Sequence, residues 1–107
     1  MDQPNEHAIQ LAILDYLARK GVYCWRNNSG ALYDRRRRLV RFGKVGSSDI
    51  LGIAPDGKFL AIEVKAPKGK WGLQPAQETF LQEIQQRGGY AGVATSLDDV
   101  DRILGGG

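Results

Sequence analysis

Two stretches of the chain carry apolar residues at helical spacing. The first covers residues 4–20 and ends before Gly21, and its apolar positions follow the i, i+4, i+7, i+8 pattern of an amphipathic helix. These positions are Ile9, Ile13, Tyr16 and Leu17. The second covers Leu73–Arg87, with Pro75 in its first turn and two glycines after it. A short third helix, "LDDVDRIL", is predicted because Ser96 precedes it as an N-cap.

Four other segments have the composition of strands, being continuously apolar or rich in β-branched and aromatic residues. They are "VYCWRN" from Val22, "SDILGIA" from Ser48, "KFLAIEVKA" from Lys58 and "YAGVAT" from Tyr90. The intervening "NSGALYDRRRR" is either a loop or a basic hairpin. Tyr23 and Trp25 share one side of the first strand, and we expect both in the core.

The element order α-β-β-β-α-β-α predicts an α/β fold. A small mixed sheet of about four strands, flanked by helices, satisfies this order. The length of 107 residues favours one domain. We expect that domain to cover residues 1–104, followed by a flexible glycine tail at 105–107.

A tight hairpin between the second and third strands sets a specific register. "APDGK" fits a three-residue loop, with Pro55 at the first central position and Gly57 in the left-handed conformation. In that register Asp49 lies directly opposite Glu63, with Cβ atoms about 4.5–5.5 Å apart. Lys65 lies on the same face because side chains alternate along a strand. The hairpin therefore gathers two acids and a lysine.

Polar residues on the two longer helices are predicted to face the same region. Glu6 falls near the centre of one apolar arc and Gln77 within the other, each early in its helix. Each polar residue also has a structural explanation: Glu6 suits a helix N-terminus, Gln77 could bind a backbone edge, Glu63 and Lys65 could pair, and Asp49 could begin a strand. The hairpin register and the two helix patterns are independent, so their agreement favours a functional site.

Composition limits the class of protein. The chain is 42% hydrophobic and 25% charged, with no apolar run near membrane-spanning length and no signal-peptide pattern at its start. A single cysteine, Cys24, excludes an internal disulfide and a cysteine metal cluster. We expect an intracellular, cytoplasmic protein without a membrane partner.

Basic residues are concentrated in one segment. Between Arg19 and Lys44 nine basic residues are opposed by Asp34 alone, although the whole chain carries only +3. Such a local excess suits a polyanion such as nucleic acid, and the alternative is a solvated loop. The residues expected to bind nucleic acid are Arg35, Arg36, Arg37, Arg38, Arg41, Lys44, Lys68 and Lys70.

The acids suggest hard-metal chemistry. Carboxylate oxygens without His or Cys ligands select Mg²⁺ or Mn²⁺, and His7, the only histidine, falls on the outer side of its helix. A divalent cation held by Asp49 and Glu63 beside Lys65 suits phosphodiester hydrolysis. Glu6 could hold the waters of this cation or a second metal, and Gln77 could position the nucleophile or a phosphate.

The residues also resemble a known family. "GSSD" at 46–49, "EVK" at 63–65 and a preceding helix with Glu6 resemble the PD-(D/E)XK nuclease superfamily. "GSSDILGIAPDGKFLAIEVKAPKG", followed by the helix that carries Gln77 and the strand "YAGVAT", is similar to the VRR-NUC domain. Ser48 stands where the superfamily usually has proline. The resemblance implies a restriction-endonuclease-like fold.

The resemblance further implies metal-dependent, structure-selective DNA cleavage. It implies metal ligands at Asp49, Glu63 and the Val64 carbonyl, a catalytic Lys65, the helix-borne acid Glu6 and the family glutamine at Gln77. It also implies Mg²⁺, with Mn²⁺ as a substitute, and a homodimer similar to Holliday junction resolvases.

Three other functions stay open. Larger relatives of this family act on flapped or otherwise branched DNA as monomers. A nucleic-acid-binding module with a degenerate nuclease site would share the basic segment and need no metal. An unrelated interaction domain would use Glu63 and Lys65 only as a structural ion pair.

Overall fold

The computed structural model of the protein describes residues 5–27, 30–67 and 71–105. Within these ranges the chain forms three helices and six strands. In chain order they are α1 (Glu6–Arg19), β1 (Tyr23–Arg26), β2 (Gly30–Tyr33), β3 (Leu39–Phe42), β4 (Ile50–Ile53), β5 (Phe59–Val64), α2 (Pro75–Gln86), β6 (Tyr90–Ala94) and α3 (Leu97–Gly105).

A four-stranded mixed sheet in the order β1-β4-β5-β6 organises the fold. β1, β4 and β5 are antiparallel neighbours, whereas β6 runs parallel to β5. A parallel pair requires a crossover connection, which α2 supplies. The predicted α/β fold with a mixed sheet of four strands is therefore confirmed. β2 and β3 pair with each other as a separate hairpin, so of the two possibilities for this segment the hairpin is correct.

Helices cover both faces of the sheet. α1 and α3 pack on one face over a cluster of buried residues: Ile9, Ile13, Leu17, Val22, Ile50, Leu60, Ile62, Val64, Ala94 and Val100. α2 packs on the other face, where Leu81 meets Ala61 and Ala91. β5 lies between the two clusters, and its residues from Leu60 to Val64 are all buried.

The helix ends follow local capping chemistry. Asn5 Oδ1 accepts a hydrogen bond from the Ala8 N–H at 2.7 Å, so α1 begins later than predicted. Ser96 caps α3 as expected, since its Oγ accepts from the Asp99 N–H at 3.3 Å. Gly105 is the last residue of α3, so its assignment to a flexible tail is wrong, and residues 106–107 lie outside the described residues. No helix in the described part of the chain is long and apolar enough to cross a membrane.

The expectation that Tyr23 and Trp25 belong to the core is wrong. Their side chains share one face of β1, but they are 75% and 40% exposed. The reason is the placement of α2, which packs against β5 and β6 and leaves the β1 side of this face open.

The hairpin between β4 and β5 has the predicted register. Ile53 pairs with Phe59 and Ile50 with Ile62. The Ala54 N–H donates to the Lys58 carbonyl at 2.9 Å, and Gly57 adopts the left-handed conformation with φ of 86°. The turn chemistry therefore fixes which residues of β4 and β5 face each other.

A second glycine fixes the approach of the loop before β4 to α2. Gly46 has φ of 82°, and a Cβ atom at this position would lie 2.5 Å from the backbone carbonyl carbon of Ala76. Only glycine allows this contact, because the backbone of α2 cannot move away without moving the helix.

We expect Gly46→Ala to lower the free energy of unfolding more than Gly57→Ala. The Gly57 site has open space around it. Its substitution therefore costs only the free energy of holding alanine in the left-handed conformation, about 1–2 kcal/mol. Gly46→Ala adds a backbone collision to that cost. Urea denaturation of the two variants measures the difference, and equal losses would contradict the close approach of Gly46 to α2.

Candidate active site

Asp49 and Glu63 are brought together where β4 begins and β5 ends. Ile50 pairs with Ile62, and continuing this antiparallel register places Asp49 beside Glu63. Asp49 Oδ2 accepts a hydrogen bond from the Val64 N–H at 2.7 Å. The Asp49 carboxylate is therefore fixed against β5, as the hairpin register predicts.

Asn27 supports the segment that carries Asp49. Its backbone N–H donates to the Asp49 carbonyl at 2.8 Å. Its side-chain amide donates to Ser47 Oγ at 2.7 Å and to the Ser48 carbonyl at 2.9 Å. The sequence gives no direct sign of this role, because it depends on β1 pairing with β4 across the intervening hairpin.

Gln77 reaches the site from the first turn of α2. Its Oε1 accepts from the Gln74 N–H at 2.9 Å. Since the amide oxygen is used in this way, the Nε2 group points into the site and donates to Glu63 Oε1 at 3.2 Å. The predicted inward orientation of Gln77 is confirmed, and its partner is a site carboxyl group.

Lys65 lies beside the same oxygen. Its Nζ is 4.0 Å from Glu63 Oε1, and its side chain is 18% exposed. Lys65 and Glu63 therefore share one face of the strand end, as alternation predicts. The ammonium group is partly accessible, so it can also reach a bound molecule.

Glu63 is the buried acid of the site. It is 3% exposed, and its Oε2 has no hydrogen-bond partner in the described structure. Burial, and after it the negative charge of Asp49, raise the pKa of Glu63 from 4.5 to about 8, against the opposing effect of Lys65. A buried carboxylate without a partner is costly to ionise. At neutral pH the metal-free protein therefore holds Glu63 predominantly protonated.

Glu6 is the first residue of α1 and is exposed, so the expectation that it lies on the buried stripe is wrong. The stripe begins one turn later, at Ile9 and Gln10. The Glu6 charge nevertheless contributes to the raised pKa of Glu63. Glu6 is therefore an exposed residue whose charge still acts on the site.

The donor set fits a hard divalent cation. Asp49 and Glu63 offer carboxylate oxygens, and the unpartnered Glu63 Oε2 is a buried acceptor that a cation would satisfy. Across the described ranges, no three His, Cys, Asp or Glu side chains converge as a dedicated cage. Mg²⁺ typically binds through one or two carboxylates together with water and substrate phosphate, which these two acids can provide.

The arginine run forms the exposed turn of the β2–β3 hairpin. Asp34 follows β2, Arg35 and Arg36 come after it, and Arg37 has a positive φ of 59°. Asp34 accepts hydrogen bonds from the backbone N–H groups of Arg36 and Arg38 and from Arg38 Nε at 2.8 Å. The one acid of the basic segment is therefore used to shape the turn and to pair with Arg38.

The other predicted nucleic-acid contacts are four further basic residues, two of which the structure describes. Arg41 is exposed on β3. Lys44 is exposed and lines a cavity of about 530 Å³ beside Ala76 and Phe80 of α2. Lys68 and Lys70 lie outside the described residues.

Comparison with known proteins was made by sequence and by structure. The family model described as "VRR-NUC domain" matches residues 5–98. A solved structure titled "VRR_NUC domain" superposes with a TM-score of 0.62 at 23% identity, covering 94% of this chain and 94% of that chain. At this identity the superposition establishes a shared fold. A comparison with curated proteins gave no match.

We expect the metal-free protein to lose stability as the pH rises from about 4.5 to about 8. The folded state raises the pKa of Glu63 from 4.5 to about 8, so within this window the folded state holds a proton that the unfolded state lacks. This stabilisation is fully present below the unfolded-state pKa of 4.5 and is lost as the pH approaches the folded-state pKa of about 8. Glu63→Gln should flatten this dependence.

Urea denaturation in EDTA at about pH 5 and about pH 8.5 measures this effect. Glu78→Gln, which changes an exposed acid in the first turn of α2, is the matched control and should retain the wild-type pH dependence. If Glu63→Gln and wild-type protein change equally with pH, the proton does not reside on Glu63.

Proposed function

The chain belongs to the VRR-NUC domain family, a family of nuclease domains, and on this basis we propose that it is a metal-dependent endonuclease of branched DNA such as Holliday junctions. The observation that carries the proposal is the buried, unpartnered Glu63 Oε2 beside Asp49. A buried carboxyl oxygen without a partner costs free energy, and a bound ligand that contacts this oxygen would offset the cost.

The cofactor in this proposal is Mg²⁺, with Mn²⁺ as a substitute. Asp49, Glu63 and the Val64 carbonyl would hold it, with Glu6 acting through water. When bound, the cation supplies a Lewis acid for the phosphodiester and lowers the pKa of water. Because Glu63 must be deprotonated to bind a cation, cation binding would release its proton.

In this proposal Lys65 acts as the catalytic lysine. Its ammonium group would orient the attacking water, favour the hydroxide form of that water by its positive charge, and counter the negative charge that develops on the phosphate. The 4.0 Å separation from Glu63 Oε1 is long for a hydrogen bond. Lys65 can therefore turn towards substrate without breaking a close contact.

Gln77 acts on Glu63 rather than on the phosphate in this proposal. Its Nε2 donates to Glu63 Oε1, and a donor to an ionised carboxylate favours the charged form. Gln77 would therefore hold Glu63 in place as its proton leaves. This assigns Gln77 a positioning role.

The β2–β3 hairpin supplies the DNA contacts. Its exposed arginines would bind phosphates and give affinity without reading sequence. Arg41, Lys44, Lys68 and Lys70 would extend this contact. A homodimer would place two sites for symmetric cuts in two strands of a junction.

Cleavage tests the proposal most directly. We expect nicking of a four-way junction with Mg²⁺ or Mn²⁺, exceeding that of duplex or single-stranded DNA, and a solution mass of two chains. Preference for a flap and a mass of one chain would favour flap cleavage. A failure to cut any substrate with either metal would contradict the proposed activity and favour a non-catalytic nucleic-acid-binding module.

Lys65→Ala should lower the cleavage rate by about 100-fold or more while DNA affinity in EDTA stays nearly unchanged. Lys58→Ala is the matched control, because Lys58 lies at the opposite end of the β4–β5 hairpin, near Tyr90, and carries the same charge. Cleavage at the wild-type rate in Lys65→Ala would remove this lysine from the mechanism.

For the hairpin, we expect the double substitution Arg35→Gln with Arg36→Gln to reduce the salt dependence of duplex affinity by about 0.9 per lost phosphate contact. Fluorescence anisotropy of labelled DNA over a salt series gives this slope. Arg102→Gln, which changes an exposed α3 arginine paired with Asp99, should leave it unaltered. An unchanged slope in the double variant would show that the hairpin arginines face only solvent.

A further inference from the structure

A row of exposed apolar side chains crosses three strands at one end of the sheet. Tyr23 pairs with Ile53, and Ile53 pairs with Phe59. The three side chains are 75%, 43% and 37% exposed. Directly paired residues point to the same side of a sheet, so these side chains form one continuous surface.

Trp25 extends this surface towards the acids. It pairs with Leu51, which pairs with Ala61. Along β5, Phe59, Ala61 and Glu63 alternate with buried residues of the other face. The aromatic residues of β1 therefore share the sheet face of the acid pair.

The separation between the aromatic side chains and the acids is short. Trp25 is one strand and about two residues from Asp49, or roughly 8 Å from spacings of about 4.8 Å between strands and 3.3 Å per residue. A stacked strand rises 3.4 Å per nucleotide, so about two or three nucleotides would span the distance from Trp25 to Asp49.

The two aromatic rings form a pair that α2 leaves accessible. Their centroids are 5.9 Å apart and their planes are inclined by 61°. A flat ring that stacks on one of them meets the edge of the other, a favourable aromatic geometry. α2 packs over β5 and β6 and reaches Leu51 of β4, so Tyr23 and Trp25 lie beyond its edge.

The surroundings of the pair favour a polyanionic partner. β1 lies inside the segment from Arg19 to Lys44, which contains nine basic residues and one acid, although Arg19 and Lys20 pair with Asp15 and Asp101 outside it. The one acid of the segment, Asp34, is engaged within the hairpin turn with Arg38. Aromatic rings within a basic stretch of chain suit a nucleic acid strand, whose bases stack while its phosphates pair with basic side chains.

We infer that Tyr23 and Trp25 form a stacking platform for unpaired bases of the DNA substrate. This inference rests on the proposed function and deepens it: next to the scissile phosphate, the branch point of the substrate would present nucleotides that are unpaired when bound. A perfectly paired arm would not supply bases to the platform, because its bases are already stacked on each other. Exposed apolar surface also occurs where a second protein chain binds, and the experiment separates these cases.

The experiment uses tryptophan fluorescence in EDTA, where a metal-dependent enzyme does not cut DNA. The chain has two tryptophans, so Trp71→Phe leaves Trp25 as the only one. The probes are a short oligothymidine and an abasic strand of equal length, which carries the same phosphates without bases. We expect oligothymidine to quench Trp25 and to bind about 5- to 100-fold more tightly than the abasic strand.

Substitutions of Tyr23 test the platform without removing charge. In the same background Tyr23→Leu should lower oligothymidine affinity about 5-fold or more and leave abasic-strand affinity unaltered, whereas Tyr23→Phe should retain both. Leu11→Ala is the control, since Leu11 is 51% exposed on α1, away from this face.

Two results would overturn the inference. One is equal affinity and equal quenching with both probes. The other is a change of solution mass in Tyr23→Leu without loss of base-dependent binding, which would assign this face to a second copy of the chain. Base-dependent quenching without cleavage of any DNA would support the stacking platform and contradict the proposed nuclease activity. Cleavage without base-dependent quenching would support the nuclease activity and contradict the platform.

Discussion

The burial of Glu63 against Asp49 is the constraint on which the site depends. Two carboxyl groups at one strand end repel each other when both are ionised, and burial adds a desolvation cost to that repulsion. The fold tolerates the arrangement because Glu63 takes up a proton, as its pKa of about 8 indicates. The same features that make the metal-free site costly are those that the proposed cation would relieve.

The elements around the acids have complementary tasks. The tight turn at Gly57 sets the β4–β5 register, and Asn27 ties the start of β4 to β1. Gln77 brings α2 to Glu63, and the close contact of Gly46 with Ala76 brings the loop before β4 to the same helix. The site is therefore held by contacts between rigid elements, which is how precise geometry is maintained.

The unequal covering of the sheet shapes the rest of the surface. One face is closed by α1 and α3, whereas α2 covers only part of the other. The uncovered part carries Tyr23 and Trp25 and continues into the acid pair. The basic β2–β3 hairpin rises from the end of β1. The aromatic pair and the acid pair thus lie on one face of the sheet.

The sequence alone determined the features that depend on local chemistry. Pro55 and Gly57 specify the turn, the turn specifies the register, and the register places Asp49 opposite Glu63. Tertiary structure decided what depends on distant packing. Alternation correctly placed Tyr23 and Trp25 on one face, but only the position of α2 decided that this part of the face is exposed. Strand pattern encodes which side chains share a face, whereas the covering of that face depends on elements far along the chain.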